Sequence, residues 1–126
     1  AALLPQLPSG ARVVLMTSRM GSIGDNSSGD SYGYRMSKVA LCMAGKSLSI
    51  DLRPRGIAVA ILHPGLVRTA MTGFTASGIP PEDAVRGLLE RLDGLSDAEL
   101  LDPQSIMPFM VTSPMKYITM RAAPKQ

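Results

Sequence analysis

Tyr34 and Lys38 stand four residues apart near the start of a segment in which Met36, Val39, Ala40, Met43, Ala44, Leu48 and Leu52 recur at three and four. Residues four apart on a helix lie on one face, one above the other, so a phenol and an ammonium at these positions can act together. An ammonium within ~4 to 6 Å favours the charged form of an acidic neighbour. A tyrosine so placed can give a proton to a carbonyl oxygen as hydride arrives, or take one from an alcohol. A serine hydroxyl nearby can hydrogen-bond the same oxygen and hold it for the transfer. Two serines are placed for this, and Ser18 is the first choice because it stands at the end of the apolar run Arg12 to Thr17. Ser22, which follows Gly21 and precedes Tyr34 by twelve, is the second.

The elements that must position these groups follow from the pattern of apolar residues. Arg12 to Thr17 (RVVLMT) is a short, continuous, β-branched run after the Pro8-Ser9-Gly10 turn signal, and Ile57 to Leu62 (IAVAIL) is another, ended by His63-Pro64-Gly65. Both read as buried strands of a parallel sheet, at 12–17 and 57–62. The 3.6-residue period between them predicts a crossover helix over 33–53, stopped by Pro54 and Gly56. Strand, helix, strand is a right-handed βαβ unit. Pro80-Pro81-Glu82-Asp83 opens a second helix over 81–93, with proline and acids in its first turn.

Ligands of such a sheet bind beyond the carboxyl ends of the strands. Two long loops, Ser18 to Ser31 and Leu66 to Ile79, leave from those ends. The first ten residues resemble the tail of a helix, and Leu95 to Gln126 is rich in methionine and proline without a clear period; Lys116 to Met120 is read as a short strand.

Composition narrows the classes of function. The 126 residues suffice for one core, and the thirteen basic residues are scattered singly despite a net charge of +3, so no basic run marks a nucleic-acid surface. No apolar run approaches the ~20 residues that span a bilayer, and a soluble, cytoplasmic protein is expected. The single cysteine, Cys42, sits among Leu41, Met43 and Ala44 and reads as a core filler in a reducing compartment. No His, Cys, Asp or Glu cluster has metal-ligand spacing. His63, the one histidine, reads as packed or solvent-facing at a strand end; Asp51, Glu82 and Asp83 read as surface and first-turn charges.

Three motifs in order, Thr17-Ser18-x-x-Gly21, Tyr34-Arg35-Met36-Ser37-Lys38 and Pro64-Gly65-x-Val67-x-Thr69, resemble the serine, tyrosine/lysine and proline-glycine motifs of the short-chain dehydrogenase/reductase superfamily. The stretch Gly21 to Asn26 and the run Tyr34 to Leu41 look closest to its sniffer-like or C-factor-like carbonyl reductases. The resemblance covers residues 1–94 and implies an α/β fold, a partial doubly wound, Rossmann-like parallel sheet. It implies an NAD(P)-dependent oxidoreductase that reduces a carbonyl or oxidises an alcohol, with NADP favoured by the subgroup. It makes Tyr34 the acid/base, Lys38 the group that assists the phenol and holds the nicotinamide ribose, and Ser18 the substrate-oxygen binder. Pro64, Gly65, Val67 and Thr69 are then the positions that line the nicotinamide. A small-molecule carbonyl or alcohol is the implied substrate, and a homodimer through the 33–53 helix the implied assembly.

The sequence departs from that pattern in several places. Ser18 to Tyr34 spans sixteen positions, about three more than is common in the superfamily, and the loop over 25–31 is long enough to absorb them. No glycine-rich turn for the cofactor pyrophosphate and no Asn-Asn-Ala-Gly segment occur in these 126 residues. The expected organisation is therefore a catalytic half over 1–94 and a divergent tail over 95–126, a chain that by itself lacks a complete cofactor site. The rival expectation is a truncated relative that no longer catalyses and serves as an interaction or dimerisation module. An extended-type epimerase shares the tyrosine/lysine pair but fits the Pro64-Gly65-x-Val67-x-Thr69 segment poorly.

Overall fold

A computed structural model describes residues 3–94, in which two strands and two helices follow one another as β1 (Arg12–Met16), α1 (Tyr32–Leu52), β2 (Ala58–Leu62) and α2 (Pro81–Asp93). The tail over 95–126, including the strand expected at Lys116 to Met120, lies outside the described residues. The chain enters through a short 3-10 turn, Leu4–Gln6, where the sequence suggested the tail of a helix. Two hydrogen bonds from the Arg55 guanidinium, to the carbonyls of Leu4 and Leu7 at 2.8 Å each, tie that turn to the far end of α1.

β1 and β2 pair in parallel, from Arg12 opposite Ala58 to Met16 opposite Leu62, as the βαβ reading requires. The Thr17 N–H continues the ladder by one step, to the Leu62 carbonyl at 2.7 Å. Every residue of β2 is buried, and the two faces of the strand meet different helices. Val59 joins Leu52 and Ile57 in a cluster with Leu48 of α1 and Val13 of β1. Ala58, Ala60 and Leu62 face the other way, onto Leu88 and Leu92 of α2. A parallel sheet with a helix on each face is the doubly wound arrangement.

The continuous apolar sequence of β1 predicts a strand buried on both faces, and the structure differs. Burial alternates along it, Val13 and Leu15 being half-buried while Val14 and Met16 are 36% and 45% exposed. The register explains this. Val14 and Met16 share a face with Ala60 and Leu62, the face covered by α2, and α2 seats on β2 without reaching across to them. Among the described residues β1 pairs on one edge only, with β2.

α1 ends where Pro54 enters a 3-10 turn, Arg53–Arg55, closed by Gly56 in the left-handed region at φ +65°. α2 begins on Pro81 with Glu82 and Asp83 in its first turn and Arg91 in its last, charges that suit the helix dipole. Both helices lie within a residue of their expected bounds. No helix among the described residues is long and apolar enough to cross a membrane.

Candidate active site

The carboxyl end of β1 is fitted against the start of α1 by three small residues. Thr17 is buried, and its hydroxyl lies 3.4 Å from the Lys38 carbonyl and 3.6 Å from the Cys42 sulfur. Cys42 is fully buried, and burial pushes its thiol pKa up, against smaller opposing effects of the Thr17 hydroxyl and the Lys38 charge. This is the core filler that the sequence suggested. Gly21 lies so close to α1 that a Cβ on it would stand 2.9 Å from the Lys38 Cβ and 3.0 Å from its carbonyl carbon. Only glycine lets the turn touch the helix at that height.

Ser18 leaves β1 in extended conformation and caps the 3-10 turn Arg19–Gly21, its Oγ accepting from the Met20 N–H at 3.2 Å. It is half-buried. Ser22, one turn further on, is buried, and its Oγ accepts from the Asp25 N–H at 3.3 Å. Each hydroxyl therefore accepts from a backbone N–H of its own loop; Ser18 is the less buried of the two and stands at the strand mouth.

Tyr34 and Lys38 sit in the first two turns of α1. The Lys38 Nζ lies 5.2 Å from the centroid of the Tyr34 ring, within the range of a cation–π contact, and Tyr34 is 40% exposed. The helix spacing therefore does bring the ammonium to the phenol, with the ring still open to solvent.

The carboxyl end of β2 supplies the second wall. Gly65 turns the chain at φ +84°, a conformation that strains any other residue, and its N–H donates to His63 Nδ1 at 3.0 Å. Burial lowers the His63 pKa and the neighbouring Arg19 charge lowers it further, with Asp25 partly opposing them. The imidazole is accordingly neutral at pH 7, with Nδ1 as an acceptor, which is a structural role for the turn. Val67 then bridges to Ile79, with the Arg68 N–H on the Ile79 carbonyl and the Ile79 N–H on the Leu66 carbonyl, both at 2.9 Å. Inside this closed loop the Thr69 N–H donates to the Thr72 hydroxyl at 3.1 Å, and that hydroxyl faces the Val67 carbonyl at 2.7 Å. Pro64, Gly65, Val67 and Thr69 thus belong to one self-braced segment leaving β2.

One residue went unnoticed among the scattered cations of the sequence. Arg35, next to Tyr34 on α1, directs Nε at the carbonyls of Gly29 (3.1 Å) and Asp30 (2.9 Å). Its Nη2 reaches the Gly29 carbonyl and the Ser28 hydroxyl, both at 2.9 Å, and its Nη1 the Met20 carbonyl at 3.4 Å. Gly29, Asp30 and Ser31 are all left-handed, at φ 66°, 58° and 53°. Non-glycine residues held in that region cost roughly 1–3 kcal/mol each, and a forked cation on the Gly29 and Asp30 carbonyls is the kind of anchor that holds such a turn. Three residues with such φ values in a row, two of them not glycine, are a signal of the loop's conformation that no sequence period contains.

Strand, crossover helix and parallel strand, with a helix on each face and a tyrosine–lysine pair at the strand mouth, define an α/β protein of the doubly wound type. A short chain dehydrogenase profile matches residues 1–79. The chain is 52% identical over 98 residues to C-signal of Myxococcus xanthus, covering 76% of this chain and 58% of that protein. It is 46% identical to 1-hydroxy-2-glutathionyl-2-methyl-3-butene dehydrogenase of a Rhodococcus species, over 75% of this chain and 43% of that one. Among solved structures, the carbonyl reductase Sniffer of D. melanogaster superposes with a TM-score of 0.66 at 34% identity, over 79% of this chain and 41% of that one. An NADPH-bound carbonyl reductase from chicken fatty liver matches equally well, with TM-score 0.66 and 34% identity, over 72% of this chain and 38% of that one. The chain belongs to the short-chain dehydrogenase family, and it spans about half the length of the relatives it matches.

Proposed function

We propose that this chain carries the acid/base half of an NAD(P)-dependent carbonyl reductase. The observation that carries the reading is the Lys38 ammonium, 5.2 Å from the centre of the Tyr34 ring, at the strand mouth where Gly21 and Thr17 lock β1 onto α1. In the direction of reduction the Tyr34 phenol gives its proton to the carbonyl oxygen, Lys38 stabilises the phenolate left behind, and Ser18 holds the oxygen by a hydrogen bond. The nicotinamide cofactor, when bound, supplies the hydride. The chemistry of the donor set fits the nicotinamide end of such a cofactor: Lys38 for the ribose hydroxyls, and the Pro64, Gly65, Val67 and Thr69 segment along the ring. NADP is favoured over NAD by the likeness to the NADPH-bound reductase. A small apolar ketone, aldehyde or quinone is the substrate class, in keeping with the exposed Met71 and Phe74 on the loop after β2. Residues 1–94 make up this catalytic half.

The test is steady-state NAD(P)H oxidation by the holoenzyme with a reactive ketone or quinone. Ser18→Ala is expected to lower kcat/KM by ~10² or more, as removal of a donor to the reacting oxygen does. Ser22→Ala is expected to act mainly through the loop it braces. The reverse ranking of the two variants would move the role to Ser22.

A second reading, association through α1, has its own observation. Met36, Met43 and Ile50 recur every seven residues along the helix and are all exposed, an apolar stripe of the kind that pairs with a second copy. We assign it to a homodimer contact that accompanies catalysis rather than replacing it. Sedimentation velocity is expected to give the mass of two chains for the holoenzyme and of one for Met43→Asp; a wild-type monomer at micromolar concentration would exclude it. A non-catalytic interaction module would keep the dimer and show no turnover.

A further inference from the structure

We infer that Arg35 is a positioning residue that holds the Ser18 turn in register with Tyr34 and Lys38, an inference that rests on the proposed function above. The guanidinium stands on α1 immediately after Tyr34 and grips the Ser18 to Ser31 loop at both of its ends. At the near end it meets the carbonyl of Met20, the residue whose N–H is bound by Ser18 Oγ, so the chain of contacts runs Arg35, Met20, Ser18. At the far end it holds the carbonyls of Gly29 and Asp30, where left-handed backbone would otherwise relax. Gly21, between them, already touches Lys38 with no room for a Cβ. Slackening this loop therefore moves the serine relative to the helix that carries the acid/base pair. Small misplacements of a group that orients substrate are costly in rate, up to ~10²-fold for about 1 Å. A lysine cannot replace the fork, since one ammonium cannot span carbonyls at the two ends of the loop.

The experiment compares Ser18→Ala, Arg35→Ala, Arg35→Lys and the Ser18→Ala/Arg35→Ala double variant in the holoenzyme. It reads carbonyl reduction, cofactor titration and amide hydrogen exchange. Arg35→Ala is expected to lower kcat/KM by about tenfold or more while the cofactor dissociation constant stays within about twofold. Arg35→Lys is expected not to recover the loss. Amides over 20–31 are expected to exchange faster in both variants, with those of β1 and β2 keeping wild-type protection. The reading a merely structural role would not give is the coupling: in the Ser18→Ala background, removing Arg35 is expected to cost less than about twofold. A full further loss in that background, or wild-type kcat/KM in Arg35→Ala, overturns the proposal. Should Arg35→Ala fail to fold, Arg35→Lys alone and with Ser18→Ala carries the same readings. Wild-type rates in both Ser18→Ala and Tyr34→Phe would instead remove the underlying reading of the site, a result distinct from an Arg35 failure.

Discussion

Tyr34→Phe in the holoenzyme is expected to lower turnover in carbonyl reduction by ~10² to 10⁴-fold, the usual contribution of a positioned general acid, while leaving cofactor affinity largely intact. The substitution keeps the ring beneath the Lys38 ammonium and removes the hydroxyl to which the proton transfer is assigned in the proposed function. Lys38→Ala should damage both properties, since the proposed function gives the ammonium both the phenolate and the cofactor ribose to serve. Steady-state NAD(P)H oxidation separates the first effect, and fluorescence titration of the cofactor the second. A Tyr34→Phe protein with more than about a tenth of wild-type turnover would contradict the assignment, because a general acid cannot be worth so little. A Lys38→Ala protein with normal cofactor affinity and low turnover would confine Lys38 to the phenol.

Gly45→Val is expected to cost about 3 kcal/mol of stability, the upper part of the range for overpacking a core. The first added atom alone would stand 2.6 Å from the Ile61 Cδ1 and 2.9 Å from the Ile61 Cγ1 and the Leu15 Cδ1. Ile61 is 1% exposed and has nowhere to retreat. Helix propensity pulls the other way, valine being better than glycine in a helix interior, but only by a few tenths of a kcal/mol, so the clash decides. Urea unfolding of the variant measures the loss. Ile61→Ala removes both of the Ile61 atoms that the new side chain would meet, so in that background Gly45→Val should cost less by about 1 kcal/mol or more. Equal costs in the two backgrounds would mean that α1 and β2 do not pack at this point.

The frame of the fold was legible because its signals are local. The β-branched runs at Arg12 and Ile57, the 3.6-residue period between them, and the prolines and acids of Pro80-Pro81-Glu82-Asp83 each announce one element, and the parallel pairing follows from the crossover between the runs. The tyrosine and lysine were legible for the same reason, since four residues on a helix fix their meeting without reference to anything distant. What was not legible depends on contacts across the chain. Arg35 looks like any surface cation in the sequence, and its contacts appear only when left-handed Gly29 and Asp30 bring their carbonyls round to it. Val14 and Met16 read as core, because hydrophobic runs report what a strand can bury and not which neighbours cover it. Gly21 and Gly45 carry no period at all; their necessity is a matter of how closely a turn and a strand approach α1.

The Arg35 grip also bears on how the segment between β1 and α1 can vary in length. Because one guanidinium clasps the Met20 carbonyl and the Gly29 and Asp30 carbonyls, the residues between them form an excursion that departs from and returns to the same point. Its circumference is thereby uncoupled from the spacing between strand end and helix start. Inserting or deleting a residue or two between Asn26 and Ser28 leaves the Asp25 contacts with Ser22 and Arg19 in place and changes mainly the entropy of closing a small ring, about 0.6 kcal/mol for each doubling of length. A separation of sixteen positions between Ser18 and Tyr34 is then as serviceable as a shorter one. The tip of the excursion is the part of this chain where length can drift, while its two clasped ends cannot.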